Sequence, residues 1–365
     1  MRDFHRLTVS DVRRETPDAV SIAFAVPEDL RAAFGFEPGQ HLTVRADIDG
    51  AEVRRTYSIC RAPDEGEMRV AIRRQEGGAF SSFASDRLEP GMALDVMPPS
   101  GRFTLPPEEG PRHVVAFAAG SGITPIMAIV RTLLAREPDS RFTLFYGNRA
   151  TSSILFRDEL EDLKDRYLGR FRIFHFLTRE PDADVPLFAG RLDGDKVKAL
   201  ATRLVDIADV DAFFLCGPGS MIADARQALK ELGIDRKRIR SEHFVPVDGA
   251  TGLPLRPAPT PPKANGEAVS AAIAEIEVIR DGARQSFAFP ADAPGVIDAA
   301  LAAGITLPYS CKGGMCCTCR AKVLEGEAEM ARNYSLEPWE LEEGYVLSCQ
   351  ARPTSAKLVL DYDQV

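Results

Sequence analysis

Four cysteines near the end of the chain constrain its fold more than any other feature of the sequence. Cys311, Cys316 and Cys319 lie within nine residues, and Cys349 follows thirty residues later. The spacing C-x4-C-x2-C…C is typical of a [2Fe–2S] site, in which a short loop supplies three thiolates and a distant segment supplies the fourth. The pattern therefore predicts a small redox domain, with these four cysteines as the metal ligands.

Composition excludes several other classes of protein. The 365 residues can form two or three domains, and the net charge of −9 argues against a nucleic-acid partner. No apolar run reaches the roughly 18 residues of a membrane span, and the first residues lack the apolar stretch of a signal peptide. The seven cysteines form no paired framework. Free thiols beside an oxidation-sensitive cluster predict a cytoplasmic protein without a membrane partner.

The first hundred residues alternate polar and apolar side chains in short runs, which glycine and proline interrupt at close intervals. Alternation with period two is typical of strands that bury one face. We therefore predict an antiparallel barrel or sandwich. The predicted strands cover residues 7–12, 20–26, 41–48, 53–60 and 68–73.

From residue 113 onward, continuous apolar runs alternate with helical stretches. Such runs are typical of parallel strands that are buried on both faces, and their alternation with helices predicts a doubly wound α/β sheet. The predicted strands are residues 113–119, 142–146, 171–177 and 212–215, and the predicted helices are residues 125–135 and 154–167.

A proline-rich segment separates these two parts from the cysteine-rich end. Residues 246–267 contain six prolines and show no hydrophobic period, which predicts a semi-rigid linker. We therefore divide the chain into a barrel over residues 1–108, an α/β domain over 109–245, a linker over 246–270 and a cluster domain over 271–365.

One predicted barrel strand ends in Arg55-Thr-Tyr57-Ser58. Arg55 can neutralise a phosphate, Tyr57 can lie against a flavin ring, and Ser58 can hydrogen-bond near its reactive nitrogen. A second stretch, residues 73–82, combines cations, glycines and hydroxyls, and its backbone N–H groups can approach a pyrophosphate. Read alone, both stretches also fit an ordinary barrel strand and loop with a solvated arginine.

Two turns of the α/β segment are candidates for binding a nicotinamide nucleotide. Residues 120–125 follow the first buried strand and open a helix, whose N–H groups favour an anion such as a pyrophosphate. Cys216-Gly217-Pro218 follows the strand over residues 212–215, at the sheet edge where ligands of open α/β sheets bind. The alternatives are an ordinary strand-to-helix turn and a small buried core cysteine. We interpret Ser58, Thr124 and Cys216 as the candidate catalytic residues.

The loop after the second α/β strand bears on the choice of coenzyme. An NAD site often has a carboxylate there to bind the ribose 2′-hydroxyl, whereas an NADP site prefers cations and hydroxyls. This loop contains Arg149, Ser152 and Ser153, and no acid precedes Asp158. The pattern favours NADPH over NADH, and a solvated Arg149 is the alternative.

Taken in order, Arg-x-Tyr-Ser, Gly-x-Gly-x-x-Pro, Cys-Gly-Pro and the C-terminal cysteine run resemble the ferredoxin–NADP reductase superfamily. The chain is most similar to reductase components of bacterial multicomponent oxygenases with a C-terminal ferredoxin domain. Residues 147–149 and 156–160 resemble the reductase subunits of phenylacetyl-CoA 1,2-epoxidases, and the NADH-dependent reductases of Rieske oxygenases such as 3-ketosteroid 9α-hydroxylase come second.

The resemblance implies a multidomain fold and a set of cofactors. An antiparallel β-barrel would bind FAD, an α/β doubly wound domain would bind NADPH or NADH, and an α+β ferredoxin-like (β-grasp) domain would hold the cluster. An oxygenase component would be the partner. The implied FAD-binding residues are Arg55, Tyr57, Ser58, Arg73, Gly78, Phe80 and Ser81. The implied nucleotide-binding residues are Gly120, Gly122, Thr124, Arg149, Ser152, Cys216, Gly217 and Pro218.

The resemblance leaves three further expectations. A residue near the end of the nucleotide domain often faces the flavin in this superfamily, and residues 242–244 are the candidates. Cys317 departs from the small residue that is common beside the second ligand, and we interpret it as a bystander. Residues 325–343 contain seven glutamates and one arginine, which fits either a docking face for a basic partner or a solvated surface.

Three rival functions follow from other interpretations of the same residues, and one of them is a reductase for a soluble ferredoxin or a haem protein. Four cysteines can hold zinc in a regulatory module, although structural zinc usually uses paired C-x2-4-C elements. A self-sufficient oxygenase would need its own oxygen-activating site, and with five histidines we find neither a Glu-x-x-His pair nor a two-histidine, one-carboxylate set.

Overall fold

The structure is a computed structural model, and it describes residues 3–180, 186–244 and 272–364. The predicted linker over residues 246–270 lies outside the described residues. The described chain forms two compact units, one spanning Phe4–Phe244 and one containing residues 272–364. The predicted boundary at residue 109 falls inside the first unit, which joins a barrel to an α/β sheet.

The N-terminal part of the first unit is an antiparallel sheet whose two end strands meet. Its order is β4-β3-β6-β1-β2-β5, and a bridge between Ile59 and Val70 joins β4 to β5 and closes the barrel. Leu7, Leu42 and Val44 are fully buried inside it, because alternate side chains of each strand point inward. The elements are β1 (His5–Thr16), β2 (Ala19–Ala25), β3 (His41–Ile48), β4 (Ala51–Ser58), β5 (Met68–Arg73), α1 (Ala79–Asp86) and β6 (Ala93–Val96).

The rest of the first unit is a parallel sheet with helices on both faces. Its order is β11-β10-β7-β8-β9, so the chain leaves the central strand in one direction and returns on its other side. The carboxyl ends of β7 and β10 therefore form a switch point, the usual ligand site of such sheets. The elements are β7 (His113–Ala119), α2 (Ile123–Arg136), β8 (Arg141–Asn148), α3 (Arg157–Arg166), β9 (Phe171–Leu177), α4 (Gly194–Leu204), β10 (Ala212–Gly217), α5 (Gly219–Glu231) and β11 (Ile239–His243).

The second unit combines a mixed sheet with two short helices. Its main sheet has the order β13-β12-β18-β14-β16, and β15 pairs with β17 in a small second sheet. Its core contains Ile276, Phe289 and Leu347, together with Cys319 and Cys349. The elements are β12 (Ala272–Arg280), β13 (Ala283–Pro290), α6 (Val296–Ala302), β14 (Arg320–Glu325), β15 (Ala328–Met330), α7 (Pro338–Glu342), β16 (Tyr345–Leu347), β17 (Ala351–Pro353) and β18 (Lys357–Asp361).

The predicted fold class is confirmed, and the differences lie at the ends of elements. The helix predicted over residues 154–167 begins only at Arg157, because Phe156 adopts a left-handed conformation with φ 58°. The strand predicted over residues 53–60 ends at Ser58, since Ile59 pairs with Val70 only as an isolated bridge. Among the residues that the structure describes, no helix has the length and hydropathy that crossing a bilayer requires.

Candidate functional site

The end of barrel strand β4 meets the switch point of the α/β sheet. Ser58 is the last residue of β4 and is buried, and its hydroxyl donates to Glu242 Oε2 over 3.2 Å. Glu242 lies on β11, directly beside Cys216 in the register with β10. The fold therefore brings a hydroxyl, a carboxylate and a thiol from three distant segments to one place.

Cys216 presents a neutral thiol at this place. Its side chain is fully buried, and burial raises the pKa of the thiol well above its ordinary value, with the nearby carboxylate of Glu242 raising it further. The thiol is therefore protonated at neutral pH. It provides a small, weakly polar surface of the kind against which a flat ring can lie.

The glycines beside Cys216 allow close contact within the chain. A Cβ at Gly122 would lie 2.1 Å from the carbonyl oxygen of Cys216, and one at Gly217 would lie 2.8 Å from Met221 Cε. The structure gives both glycines a reason within the chain, because a neighbouring part of the protein already occupies the place that a side chain would take.

Two helices begin at this edge of the sheet without a capping side chain in the described structure. Gly122 is the N-cap of α2, and Pro218 is the N-cap of α5. In α2 the N–H of Ile123 already donates to the carbonyls of Gly120 and Ser121, whereas the other first-turn N–H groups have no side-chain cap, and the helix dipole favours an anion there. The sequence predicts a pyrophosphate only at residues 120–125, and this edge, with both helix N-termini, stays a candidate anion site.

Thr124 helps to shape the turn before α2. Its hydroxyl is buried and donates to the carbonyl oxygen of Ser121 over 3.0 Å, while the hydroxyl of Tyr146 donates to the carbonyl oxygen of Gly120 over 2.9 Å. Both bonds hold the backbone that leads into the helix. Thr124 therefore lies at the predicted site, with its hydroxyl already engaged by the turn.

On the barrel side, Tyr57 and Phe80 form an aromatic pair. Their ring centroids lie 5.5 Å apart, and Phe80 is fully buried whereas Tyr57 is partly exposed. Burial of the Tyr57 hydroxyl raises its pKa above the ordinary value. The buried ring of Phe80 therefore packs against Tyr57, and Tyr57 presents a ring surface against which a flavin can stack. Arg55, two residues earlier on β4, is partly exposed at the same end of the strand.

The loop before α1 is held by its own side chains. Ser81 Oγ accepts from the N–H of Gln75 over 3.0 Å and donates to the carbonyl of Gly78 over 3.1 Å. A Cβ at Gly78 would lie 2.5 Å from that same hydroxyl. Ser81 and Gly78 thus fix the loop, and α1 begins at Ala79 without a side-chain cap among the described residues. Its first N–H groups remain as candidate phosphate donors.

Arg73 connects the barrel to the α/β sheet. Its Nη2 donates to the carbonyl oxygen of Ser153 over 2.6 Å, and its Nη1 would lie 3.1 Å from a Cβ at Gly120. The predicted phosphate-binding cation therefore lies between the flavin-side and nucleotide-side residues. It can serve an anion at either place while it fixes the loop after β8.

An acid that the sequence analysis missed lies against the loop after β8. Glu180 follows β9, and its Oε2 accepts from the N–H and the hydroxyl of Thr151 over 3.0 and 2.6 Å. These bonds lower the pKa of Glu180, so a carboxylate lies beside the exposed side chains of Arg149 and Ser152. Glu180 is remote from this loop in sequence. The parallel register of β8 and β9 brings the two strand ends together.

In the second unit, the four predicted ligand cysteines form two pairs. The thiols of Cys311 and Cys316 hydrogen-bond to each other, as do those of Cys319 and Cys349. No group of three or more His, Cys, Asp or Glu side chains in the described residues is arranged to hold a single metal ion. Two pairs of thiolates instead fit a centre with two irons and two cysteine ligands on each.

Backbone conformation directs polar groups toward these thiols. Lys312, Gly314 and Cys317 adopt positive φ angles of 48°, 78° and 54°, and the N–H of Gly313 donates to Cys311 Sγ over 3.3 Å. Successive N–H groups in such a loop form a concave anion site, and N–H bonds to sulfur stabilise the negative charge of a cluster. The residues present therefore fit a [2Fe–2S] cluster.

Two expectations about neighbouring residues also meet the structure. Cys317 Sγ donates to Ser335 Oγ over 3.0 Å, and its role as a bystander stays a prediction. The predicted acidic surface needs one correction, because Glu340 is fully buried and pairs with Arg320 over 2.8 Å. The glutamates at 342 and 343 are exposed, as that surface requires.

Comparison with known proteins gives a consistent assignment for all three segments. Residues 6–105 match the oxidoreductase FAD-binding domain, residues 117–227 the oxidoreductase NAD-binding domain, and residues 278–354 the 2Fe–2S iron–sulfur cluster binding domain. One component protein of the 1,2-phenylacetyl-CoA epoxidase from Escherichia coli K12 is 45% identical over 364 residues, which cover 100% of this chain and 99% of that protein. This chain is a member of the oxygenase reductase family.

Further relatives place the reductase in the same group. The ferredoxin reductase component of 3-ketosteroid-9-alpha-monooxygenase from Rhodococcus rhodochrous is 34% identical over 98% of this chain and 96% of that protein. The solved structure of phthalate dioxygenase reductase matches with a TM-score of 0.57 and 24% identity, over 98% of each chain, and so supports the fold. The match to a 2Fe–2S domain contradicts the alternative of a zinc-binding regulatory module.

The cofactor classes that the sequence predicted for this reductase are therefore confirmed as FAD, a nicotinamide nucleotide and a 2Fe–2S cluster. The structure also adds His41, a buried side chain near Glu242 that the sequence analysis did not single out. Only its position opposite Ser58 in the register of β3 and β4 reveals it.

Proposed function

We propose that this reductase passes electrons from NADPH through FAD and a [2Fe–2S] cluster to the oxygenase component of a phenylacetyl-CoA epoxidase. The full-length 45% identity to the Escherichia coli epoxidase component supports this choice of partner over the steroid monooxygenases at 34% identity. The seven cysteines, none of which forms a disulfide within the described residues, support a cytoplasmic location.

The observation that carries the proposal is the meeting of Ser58, Glu242 and Cys216. Ser58 donates its single hydroxyl proton to Glu242 in this structure, and would turn it to the reactive edge of the flavin when FAD is bound, while the neutral Cys216 thiol would hold the nicotinamide ring against that edge. Glu242 joins the two, since it accepts from Ser58 and adjoins Cys216 in the strand register. A flavin supplies the chemistry that this arrangement needs, because it accepts a hydride and releases electrons singly.

The remaining residues of the first unit would bind and orient the two nucleotides. Tyr57 would stack on the flavin ring, and Arg55 and Arg73 would neutralise phosphate charge. On the α/β side, the N-termini of α2 and α5 would bind the pyrophosphate of NADPH. The further proposed contacts are Gly78, Phe80 and Ser81 for FAD, and Gly120, Gly122, Thr124, Arg149, Ser152, Gly217 and Pro218 for the nicotinamide nucleotide.

In the second unit, Cys311, Cys316, Cys319 and Cys349 would hold the cluster. The pairing of their thiols and the N–H bond from Gly313 support this assignment. The backbone of the loop would stabilise the reduced cluster and so set its potential.

A second candidate is an NADH-dependent reductase of a Rieske oxygenase. The carboxylate of Glu180 favours it, because negative charge beside Arg149 and Ser152 would oppose a 2′-phosphate. The ratio of kcat/KM for NADPH and NADH, measured with ferricyanide as acceptor, separates the two coenzymes. NADPH preference supports the first candidate, and NADH preference supports the second.

Reconstitution tests the proposed partner. The purified reductase is combined with the other components of the Escherichia coli phenylacetyl-CoA epoxidase, and epoxidation of phenylacetyl-CoA is measured with NADPH. We expect turnover that depends on this chain, with the Cys316→Ser variant as the inactive control. Turnover with a 3-ketosteroid oxygenase component but none with the epoxidase would contradict the proposal.

A further inference from the structure

Gln350 is a buried residue that directly follows the fourth proposed cluster ligand. It is 5% exposed, and its side-chain Nε2 donates to the carbonyl oxygen of Lys312 over 2.7 Å. The same nitrogen lies 3.1 Å from the carbonyl oxygen of Cys349 and 3.6 Å from Cys349 Sγ. An amide nitrogen carries two hydrogens, so one hydrogen serves the loop over residues 311–319 and the other serves Cys349.

The backbone on both sides of Gln350 holds its side chain in this place. The N–H of Gln350 donates to the carbonyl oxygen of Leu347 over 2.8 Å, and its own carbonyl oxygen accepts from the N–H of Ala331 over 3.1 Å. Gly314 adopts φ 78°, and a Cβ there would lie 3.2 Å from Gln350 Cγ. The glycine therefore leaves room for Gln350 to extend to the loop.

The segment that contains Cys349 is joined to the loop over residues 311–319 at two points. On one side, the N–H and the hydroxyl of Ser348 donate to the carbonyl oxygen of Cys319 over 3.0 and 2.8 Å. On the other side, Gln350 donates to the carbonyl oxygen of Lys312. Cys349 lies between these two connections, so its sulfur is fixed relative to the three cysteines of the loop.

Hydrogen bonds to Cys349 favour negative charge on its sulfur. The hydrogen bond with Cys319 lowers the pKa of the Cys349 thiol, whereas burial raises it. The hydrogen bonds from the Gln350 amide and from the N–H of Gly314 lower the pKa further. Cys349 is 1% exposed, and hydrogen bonds to charge are stronger where water is excluded.

The proposed electron path makes such a donor useful. When a cluster gains an electron, the negative charge on the iron and sulfur atoms increases, so an N–H directed at a ligand sulfur stabilises the reduced form more than the oxidised form. The donor thereby raises the reduction potential and favours transfer of an electron from the flavin to the cluster. Loss of the donor would lower the potential.

We propose that Gln350 is a positioning residue that orients Cys349 and raises the reduction potential of the cluster through its side-chain N–H. The inference rests on the proposed function, because it takes Cys349 as a ligand. One electron enters the cluster, and no covalent bond of Gln350 forms or breaks. The backbone N–H of Gly313 remains after any substitution by another residue with an N–H, whereas the donor of Gln350 is removed with its side chain.

The test compares Gln350→Met with the wild-type chain and with Gln285→Met. Met is unbranched like Gln and has no N–H donor in its side chain, and Gln285 is an exposed residue of β13 in the same unit. The reduction potential of the cluster is measured on the full-length chain by a redox titration that is followed by electron paramagnetic resonance. Iron content and thermal unfolding are measured on the same samples.

We expect the ratio of reduced to oxidised cluster at a fixed potential to fall at least about threefold in Gln350→Met, and up to about 10-fold. A 10-fold fall corresponds to a potential about 59 mV lower for a one-electron couple. Gln285→Met should have the wild-type potential. A smaller fall, or a rise, in a Gln350→Met protein with its full iron content would overturn the proposal.

A second variant keeps the test decisive if Gln350→Met does not load iron. Gln350→Asn keeps the amide but is one methylene shorter, so it cannot serve both the loop and Cys349 Sγ, and we expect a lower potential here too. If neither variant loads iron while Gln285→Met does, Gln350 builds the site rather than setting its potential, and the proposal is overturned. A wild-type chain that binds no iron contradicts the proposed function itself, which is a different result from a loaded cluster whose potential is independent of residue 350.

Discussion

The two units of this reductase build their redox sites in opposite ways. In the second unit, three of the four proposed ligands lie within the nine residues 311–319, so a local loop makes most of the site. In the first unit, Ser58 and Glu242 are 184 residues apart and meet only through strand register and the packing of barrel on sheet. The cluster site therefore depends on one loop, whereas the site of the first unit depends on how the barrel packs against the α/β sheet.

The thiols of the two units show the same contrast in their environment. Burial raises the pKa of Cys216 and raises that of Cys60 to about 12. In the second unit the ligand thiols differ from one another, because hydrogen bonds from Cys316 and from the N–H of Gly313 lower the pKa of Cys311, whereas the hydrogen bond with Cys349 and burial raise that of Cys319. Burial keeps a thiol neutral, whereas hydrogen-bond donors to sulfur favour the thiolate, which is the form that binds iron.

The largest expected effect separates the two sites completely. Cys316→Ser should lower NADPH-dependent reduction of cytochrome c through the cluster by at least ~100-fold, because a ligand is lost. Turnover with ferricyanide should persist through the flavin, since the first unit is unchanged. Both activities are measured on one preparation, together with its iron content.

Cys317→Ser is the matched control for that experiment. Cys317 adjoins Cys316 but donates to Ser335 Oγ, so the variant should retain iron and cytochrome c reduction. Loss of ferricyanide turnover in Cys316→Ser would show that the two sites are not independent and would break the comparison.

A smaller effect should follow from weakening the contact between the barrel and the α/β sheet of the first unit. Arg61, at the barrel end of β4, binds Glu67 over 2.8 Å and Glu159 of α3 over 2.5 Å, and its side chain is 6% exposed. Arg61→Ala removes its hydrogen bonds to both carboxylates, while Glu159 keeps Arg131 and Glu67 keeps Arg69, so the free energy of unfolding should fall by about 2–3 kcal/mol. Urea denaturation followed by flavin fluorescence measures it.

Arg136→Ala supplies the exposed counterpart. Arg136 of α2 pairs with Asp64 of the barrel over 2.5 Å, but both side chains are largely exposed. Its loss should cost below about 1 kcal/mol. Equal stability of Arg61→Ala and Arg136→Ala would show that the buried ion pairs of Arg61 do not hold the barrel against the α/β sheet.

Backbone contact at the switch point should produce the third effect. Gly122→Ala places a Cβ against the carbonyl of Cys216, and such overpacking should cost about 1–3 kcal/mol and raise the KM for the nicotinamide nucleotide. Gly219→Ala is the matched control, since a Cβ at Gly219 meets no described atom within 4 Å. Steady-state kinetics and thermal unfolding of both variants show whether the close approach matters. A Gly122→Ala protein that matches Gly219→Ala would contradict this account.

The smallest effect concerns the buried thiols of Cys60 and Cys216. Because alkylation requires the thiolate, a raised pKa makes Cys60 and Cys216 unreactive until the pH approaches the raised value, about 12 for Cys60. We therefore expect no labelling of either residue by iodoacetamide at about pH 8 in the folded protein, and full labelling after unfolding in guanidinium. Mass spectrometry of the peptides measures it. Rapid labelling of folded Cys216 would show that its environment is open.

Local patterns explain why the sequence predicts the strands, the helices and the cluster ligands. Alternation identifies β3 and β5 at their observed ends, and three of the four ligand cysteines stand in one loop. Arg-x-Tyr-Ser identifies the end of β4 for the same reason. Each of these signals lies within ten residues, so no knowledge of the tertiary fold is required.

The rest depends on which segments the fold brings together. Glu180 contacts Thr151 because β8 and β9 are neighbours in a parallel sheet. The sequence of the loop after β8 does not contain this carboxylate and cannot indicate it. His41 shows no motif, and it becomes informative only when Glu242 lies opposite. Gly122 also has a structural role that the sequence cannot show, since the carbonyl of Cys216 occupies the space beside it.

The most direct test of the central claim follows the purified chain through one reduction. The protein is mixed anaerobically with NADPH and its visible spectrum is recorded with time, after iron and flavin are quantified. The account predicts one FAD and about two irons per chain, bleaching of flavin and cluster absorption together, and loss of the cluster component alone in Cys316→Ser. A chain that binds no flavin, or whose cluster stays oxidised while the flavin is reduced, would contradict it.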